Sequence, residues 1–153
     1  MADAYTSKDV IQLKDYRGKW TLSDFADGQV AQLSAPNELS TVVTGWNGNC
    51  LGAHNEPGRQ RVLEIRLVKA SSDDKRLNEN YELWKERNMK FKPLEGEFTK
   101  NIGHSDGNIT HDTVQCFFGL PTGIPVPMTD TTGNTEQDVS VYTITFGNYK
   151  RVI

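Results

Sequence analysis

Residues 61–88 read RVLEIRLVKASSDDKRLNENYELWKERN, and this run decides the fold. Leu63, Ile65 and Leu67 alternate with Glu64 and Arg66, flanked by Val62 and Val68. A period of two describes a β-strand with one buried face. The period then changes. Ser71 and Asp74 have the spacing of an N-cap box, and Leu77, Tyr81 and Trp84 follow at helical spacing. Asp73, Lys75, Arg76, Glu79, Glu82, Lys85 and Glu86 take the remaining surface, and Asn88 suits a left-handed helix end. The spacing predicts one helix over about 72–88, about 17 residues and roughly 25 Å long. No other stretch reads as a helix, so the helix is expected to cover an open side of a β-sheet or barrel.

Working outward, the chain is strand and turn. Lys8–Lys14 alternates, with Ile11 and Leu13 on one face and Val10 on the other. Leu39–Thr44 is extended, and Asn47-Gly48 marks a turn between short extended pieces. Thr113–Leu120 (TVQCFFGL) reads as a central strand. Val139–Phe146 (VSVYTITF) closes the series, with Tyr142, Ile144 and Phe146 inward and Val141, Thr143 and Thr145 outward. The expected core is Leu63, Ile65, Leu67, Leu77, Tyr81, Trp84, Phe117, Tyr142, Ile144 and Phe146. Residues 1–7 read as a flexible N-terminal segment. Residues 45–60, 103–112 and 121–138 read as loops. The expectation is a single domain over 1–153, with about eight to ten strands and one helix.

The 153 residues suffice for one core, yet only 36% are apolar and the mean hydropathy is −0.59. Such a chain gains stability from neighbours in an assembly. Its net charge of −3 gives no basic excess for gripping phosphates. Cys50 and Cys116 form no CxxC pair. The polar first residues give no signal peptide, so a reducing cytosol and free thiols are expected. No segment approaches the ~20 apolar residues of a membrane span.

His104, Asp106, His111 and Asp112 fall within nine residues and could converge on an ion. Their spacing matches no standard zinc pattern, so a polar loop is preferred and no metal is expected. Cys50 in NGNCLG lacks the setting of a thiol nucleophile. No GxSxG occurs, and GWNGNCLG lacks the lysine of a phosphate cradle. No catalytic residue and no cofactor are expected. Trp46, in a Gly/Asn loop, reads equally as a tucked-in anchor or as an interface hot spot.

Several stretches together resemble the tail tube (inner tube) proteins of contractile-tailed bacteriophages, which share their fold with the inner-tube protein of type VI secretion systems. They are Thr41-Val-Val-Thr-Gly-Trp-Asn-Gly-Asn49 with the glycine-containing run to Gly58, then RVLEIRLVKAS, LNENYELW and VSVYTITF. The likeness covers about residues 8–150, in order and pattern. It implies a mainly β fold with one helix, in which two packed antiparallel sheets form a sandwich or barrel. It also implies rings of six copies that stack into a hollow tube, the conduit for DNA ejection. The implied partners are the protein itself, the sheath, the tape-measure protein, the baseplate and the tail terminator. DNA would pass through the bore without specific binding, no membrane is involved, and the protein would reside in the virion tail after assembly in the host cytoplasm. Ring-to-ring contacts are expected from 45–60 and the N-terminal segment, at Trp46, Asn47, Asn49, His54, Asn55, Lys8 and Asp9. Three other classes compete: a tail terminator or completion protein of related fold, a monomeric ligand-binding β-barrel using Trp46 as a platform, and a metal-dependent enzyme.

Overall fold

A computed structural model describes residues 2–5, 9–25, 31–105, 108–123, 125 and 139–152. Ten strands occur among them: β1 (Ala2–Tyr5), β2 (Val10–Asp15), β3 (Gly18–Thr21), β4 (Ala31–Ser34), β5 (Ser40–Thr44), β6 (Cys50–His54), β7 (Arg61–Val68), β8 (Leu94–Ser105), β9 (Asn108–Gly123) and β10 (Val139–Val152). One α-helix, α1 (Ser72–Lys85), separates β7 from β8. Eight strands form one antiparallel sheet in the order β1-β4-β7-β10-β9-β8-β2-β3, and β5 with β6 forms a separate two-stranded sheet. The described residues are therefore mainly β with a single α-helix, as the 61–88 pattern and the Thr-rich strands imply.

The large sheet curls back on itself. Beyond β3 the chain crosses to β7, where Phe25 bridges Leu67 and Val68 N donates to Asp24 O at 3.0 Å. β1 and β3 remain unjoined at the two ends, so the curl is not a closed barrel. Inside it lies one core: Ile11 and Leu13 from β2, Leu63, Ile65 and Leu67 from β7, Leu94 and Phe98 from β8, Cys116 from β9, and Tyr142, Ile144 and Phe146 from β10. Period-two burial on β7 and β10 follows the sequence alternation residue by residue.

α1 closes the remaining gap. Leu77 and Tyr81 enter the core, and Tyr81 meets Tyr142 edge-on at 5.0 Å, a geometry worth about 1 kcal/mol. Ser71 caps the helix, accepting from Asp74 N at 3.3 Å, while the Asp74 carboxylate accepts from Ala70 N at 2.8 Å. Two residues assigned to the solvent face turn inward instead. Asp73 is buried and accepts from Ser23 N and Asp24 N at 2.8 and 3.0 Å. Arg76 makes a paired hydrogen bond to the buried Asp15, both contacts at 2.9 Å, and lies 4.0 Å over the Trp20 ring.

Other expectations need correction. The helix stops at Lys85, because Arg87 rather than Asn88 takes the left-handed conformation and Asn88 N closes back onto Leu83 O. Trp84 is 42% exposed: it sits on the last turn, past the covered sheet, and stacks on Phe91 rather than on the core. Phe117 is 39% exposed, because Val114 and Cys116 hold the inward phase of β9 and Phe117 is out of phase. Residues 103–112 are the paired ends of β8 and β9 rather than a loop, apart from 106 and 107, which lie outside the described residues. The 121–138 segment begins as strand, since β9 runs to Gly123.

Burial raises the Asp15 pKa, but bonds from Arg76, Asn80 and Arg17 N, with the Arg76 charge, outweigh it and leave the carboxyl below its ordinary value of 3.8. A depressed carboxylate contributes stability above its unfolded pKa and loses it as pH falls through the folded value. Asp15→Asn is therefore expected to cost about 3 kcal/mol at pH 7. Urea unfolding at pH 7 and at about pH 3 should show that difference shrinking in acid. Burial also pushes the Cys116 thiol up to about 12, whereas Cys50 is exposed. A thiol reagent should thus modify Cys50 in the native protein and Cys116 only after unfolding.

Candidate assembly interface

β5 and β6 pair from Ser40↔His54 to Thr44↔Cys50, apart from the large sheet. Asn47-Gly48 turns the chain as its sequence predicts. Gly45 N donates to Asn49 O at 2.6 Å, Gly48 N to Gly45 O at 3.0 Å, and Gly48 takes φ 87°. Every residue of both strands is exposed. Trp46 stands at the tip, 101% exposed, so the tucked-in anchor is excluded. Val42, Val43 and Leu51 add exposed apolar surface, and Val43 pairs with Leu51. The 45–60 stretch is thus half of a projecting β-arm rather than a loop.

The arm is rigid at its base. Asn55 donates from its backbone to Leu39 O and from its side chain to Thr41 Oγ1, each at 2.8 Å. A 3-10 turn, Glu56–Arg59, follows. Gly58 packs so closely that a Cβ there would lie 2.4 Å from Leu39 Cα, so only glycine fits. Arg61 donates to Gly58 O at 2.9 Å and Gln60 O at 2.7 Å and stacks 3.6 Å over Tyr149 of β10, tying the arm to the large sheet.

The interface residues picked from sequence have different roles. Asn47 accepts from Asn49 N within the turn, and Asn55 pins the base. His54 lies 3.4 Å from Glu56. Asp9 is buried within its own chain, which corrects its assignment to an outer contact: it sits at the start of β2, whose inward positions Ile11 and Leu13 share its phase. Lys8 lies outside the described residues. The exposure of Val42, Val43 and Leu51 was not foreseen, although a signal existed. Ser40–His54 holds no Asp, Glu, Lys or Arg, in a chain that is 24% charged and would ordinarily place about three or four in such a window.

The candidate metal ligands are dispersed along the β8–β9 hairpin. His104 stands opposite Ile109, and His111 opposite Asn101. Asp106 lies outside the described residues. Asp112 is held by Arg151 through bonds of 2.9 and 2.7 Å, and that guanidinium keeps its carboxyl below the ordinary range. Among the described residues, no three His, Cys, Asp or Glu side chains gather as a metal would require.

No protein-family model matches the chain, and no curated protein matches its sequence. Solved structures match its fold. A chain of the anti-feeding prophage tube-terminating cap aligns with a TM-score of 0.58 at 13% identity, over 98% of this chain and 91% of that one. A chain of the sheath–tube complex of PVC, an extracellular contractile injection system, gives 0.52 at 11% identity over 93% and 87%. A chain of the PVC sheath/tube terminator gives 0.50 at 14% identity over 95% and 93%. At these identities the likeness is one of fold, and it runs nearly end to end in both partners. The chain has the tube-type fold of contractile tails.

Proposed function

We propose that the protein is a structural subunit of a contractile tail, with residues 1–153 acting as one unit that assembles with its own copies into stacked rings of six to form the inner tube. The observation that carries this is the projecting, charge-free β5–β6 arm on a tube-type fold. Two strands alone are marginal in water, and exposed apolar residues on such an arm call for a protein surface. On this reading Trp46, Val42, Val43 and Leu51 seat on the next ring, a head-to-tail contact that propagates as an open stack. Unpaired edges at β1 and β3 would be closed by ring neighbours.

The outward face of the large sheet offers Gln12, Glu64, Thr143 and Thr145, with Thr122 bonded to Thr145 at 3.0 Å. Lys14 and Lys19 on this face are paired with Glu95 and Glu97, and a polar wall whose lysines are so neutralised would let a polyanion slide through without sticking. The reading brings with it the sheath, tape-measure protein, baseplate and terminator as partners, DNA as cargo, the tail of a virion or phage-like particle as the location, and host cytoplasm as the place of assembly. It assigns no catalysis. A tail terminator is the second reading, favoured by the fold matches to a tube-terminating cap and a sheath/tube terminator.

Negative-stain electron microscopy of the concentrated protein separates the two. Long hollow stacks are expected for the tube, and single rings at every concentration would favour the terminator. A strict monomer across the whole range would sink both. Trp46→Ala is expected to leave monomer stability within about 0.5 kcal/mol. It should raise the concentration needed for assembly about thirtyfold, the equivalent of about 2 kcal/mol lost at an aromatic anchor, as sedimentation would show.

A further inference from the structure

The chain is acidic overall, yet Lys85, Arg87, Lys90 and Lys92 fall within eight residues at the end of α1. Lys85 is tied to Glu82 at 3.5 Å. Arg87, Lys90 and Lys92 are exposed and make no ion pair among the described residues. They ride on a locked turn. Arg87 N donates to Trp84 O at 3.0 Å and Asn88 N to Leu83 O at 2.9 Å, while Asn88 takes bonds from Lys90 N and Phe91 N at 2.9 and 3.1 Å. Phe91 folds onto Trp84 with ring centroids 5.1 Å apart, and Met89 is left 100% exposed.

Two features of this surface run against folding economy. Arg87 sits at φ 52°, the helix-ending position where glycine is preferred and another residue costs about 1 kcal/mol. Lys92, five residues further on, lines a cleft of about 520 Å³ with Pro93, Phe118, Lys14, Tyr16 and Arg17, and with Asp15 and Glu95, whose carboxylates are bonded to Arg76 and Lys14. Phe118 is also left-handed, at φ 56°, and keeps its ring 60% exposed. Backbone held in sparsely populated conformations marks places where a side chain's position matters. On the far rim Lys14 pairs with Glu95 at 3.9 Å and Arg17 with Glu79, so the uncompensated charge lies on the Arg87–Lys92 side.

We infer that the end of α1 and this cleft form a docking site for an acidic segment of a protein partner, its carboxylates on Arg87, Lys90 and Lys92 and an apolar side chain against Phe118. Charge complementarity selects the occupant. Glu79, Glu82, Glu86 and Glu95 stand among the cations and would repel a continuous polyanion or an anionic bilayer, whereas separate carboxylates on a peptide can be set between them. The turn is held in place before binding, which lowers the ordering cost. This surface is distinct from the β5–β6 arm, and its binding does not depend on ring assembly.

The test is fluorescence anisotropy with the full chain, kept below any assembly concentration. The probe is a short labelled peptide alternating Glu and Leu. Its Lys-for-Glu counterpart, a single-stranded oligothymidine and phosphatidylserine vesicles are the competitors. The Glu–Leu peptide should bind most tightly and weaken as salt rises. Arg87→Gly combined with Lys90→Gln and Lys92→Gln should weaken it about tenfold. Arg87→Gly alone should leave thermal stability equal or higher, because glycine suits the left-handed turn, so a loss of binding is not a loss of fold. Phe118→Asn, which tolerates the same backbone, should weaken the Glu–Leu peptide more than a Glu–Ala one. Equal binding of the Lys and Glu peptides, unchanged binding by the triple variant, or tighter binding of oligothymidine or vesicles would overturn the site.

Discussion

The paired bond from Arg76 to Asp15 is the contact on which the rest of the molecule leans. It joins the only helix among the described residues to the β2–β3 turn, at the far end of an eight-stranded sheet that is not closed. The Asp15 carboxylate also accepts from Asn80 and from Arg17 N, at 3.0 and 2.8 Å, so a side chain with no exposed surface has its charge met. At the very start of α1, one turn before Arg76, Asp73 holds the backbone of Ser23 and Asp24, and Asp24 accepts in turn from Ser72 at 2.9 Å. Tyr142 on β10 reaches Asp74, and Tyr81 reaches Thr143 O at 2.7 Å. The helix thus fastens β2 and β3 on one side to β7 and β10 on the other. An apolar core of leucines and aromatics drives the curl, but hydrophobic contact is non-directional, and these polar bonds fix how far the curl closes.

The same frame sets the arm at a defined angle. β7 begins at Arg61, whose guanidinium lies between the Gly58 and Gln60 carbonyls and the Tyr149 ring. Stability in the large sheet is therefore passed to a hairpin that buries nothing of its own. Preorganisation of this kind matters for a surface whose worth is realised only against another chain, because less freedom is lost on contact.

The sequence revealed the strands and helix with one buried face and misled where that condition fails. β7, β10 and the Ser71 cap were legible because period and cap chemistry agree with the tertiary environment. Trp84 follows the Leu77–Tyr81 spacing faithfully, yet the sheet it should cover ends one turn earlier. In TVQCFFGL, apolarity without alternation hid the phase, which a left-handed Phe118 then shifts. The His- and Asn-rich ends of β8 and β9 pair in register without an apolar alternation in the sequence, so they carried no strand signal. Arg76 and Asp73 looked like helix surface because their partners, Asp15 and the Ser23–Asp24 backbone, lie about fifty to sixty residues away in sequence. Pairing at that separation leaves no local trace.

The distribution of charge bears on which surfaces are free to pair. Proteins guard exposed strands with lysine, proline or a bulge to prevent indiscriminate edge pairing. The β3 end of the large sheet follows this rule: Lys19 lies on it and is held by Glu97 at 2.8 Å. Charge also stands on β7 at Glu64 and on β2 at Lys14. The arm departs from it, with fifteen consecutive residues free of Asp, Glu, Lys and Arg, β-branched at Thr41–Thr44 and aromatic at the tip. A solitary protein with such an arm would be exposed to uncontrolled association. The glycines and asparagines at 45–49 temper that hazard by keeping the tip tightly turned. A guarded sheet edge and an unguarded arm favour association through the arm, and the stacking subunit proposed above would need that bias more than it needs affinity.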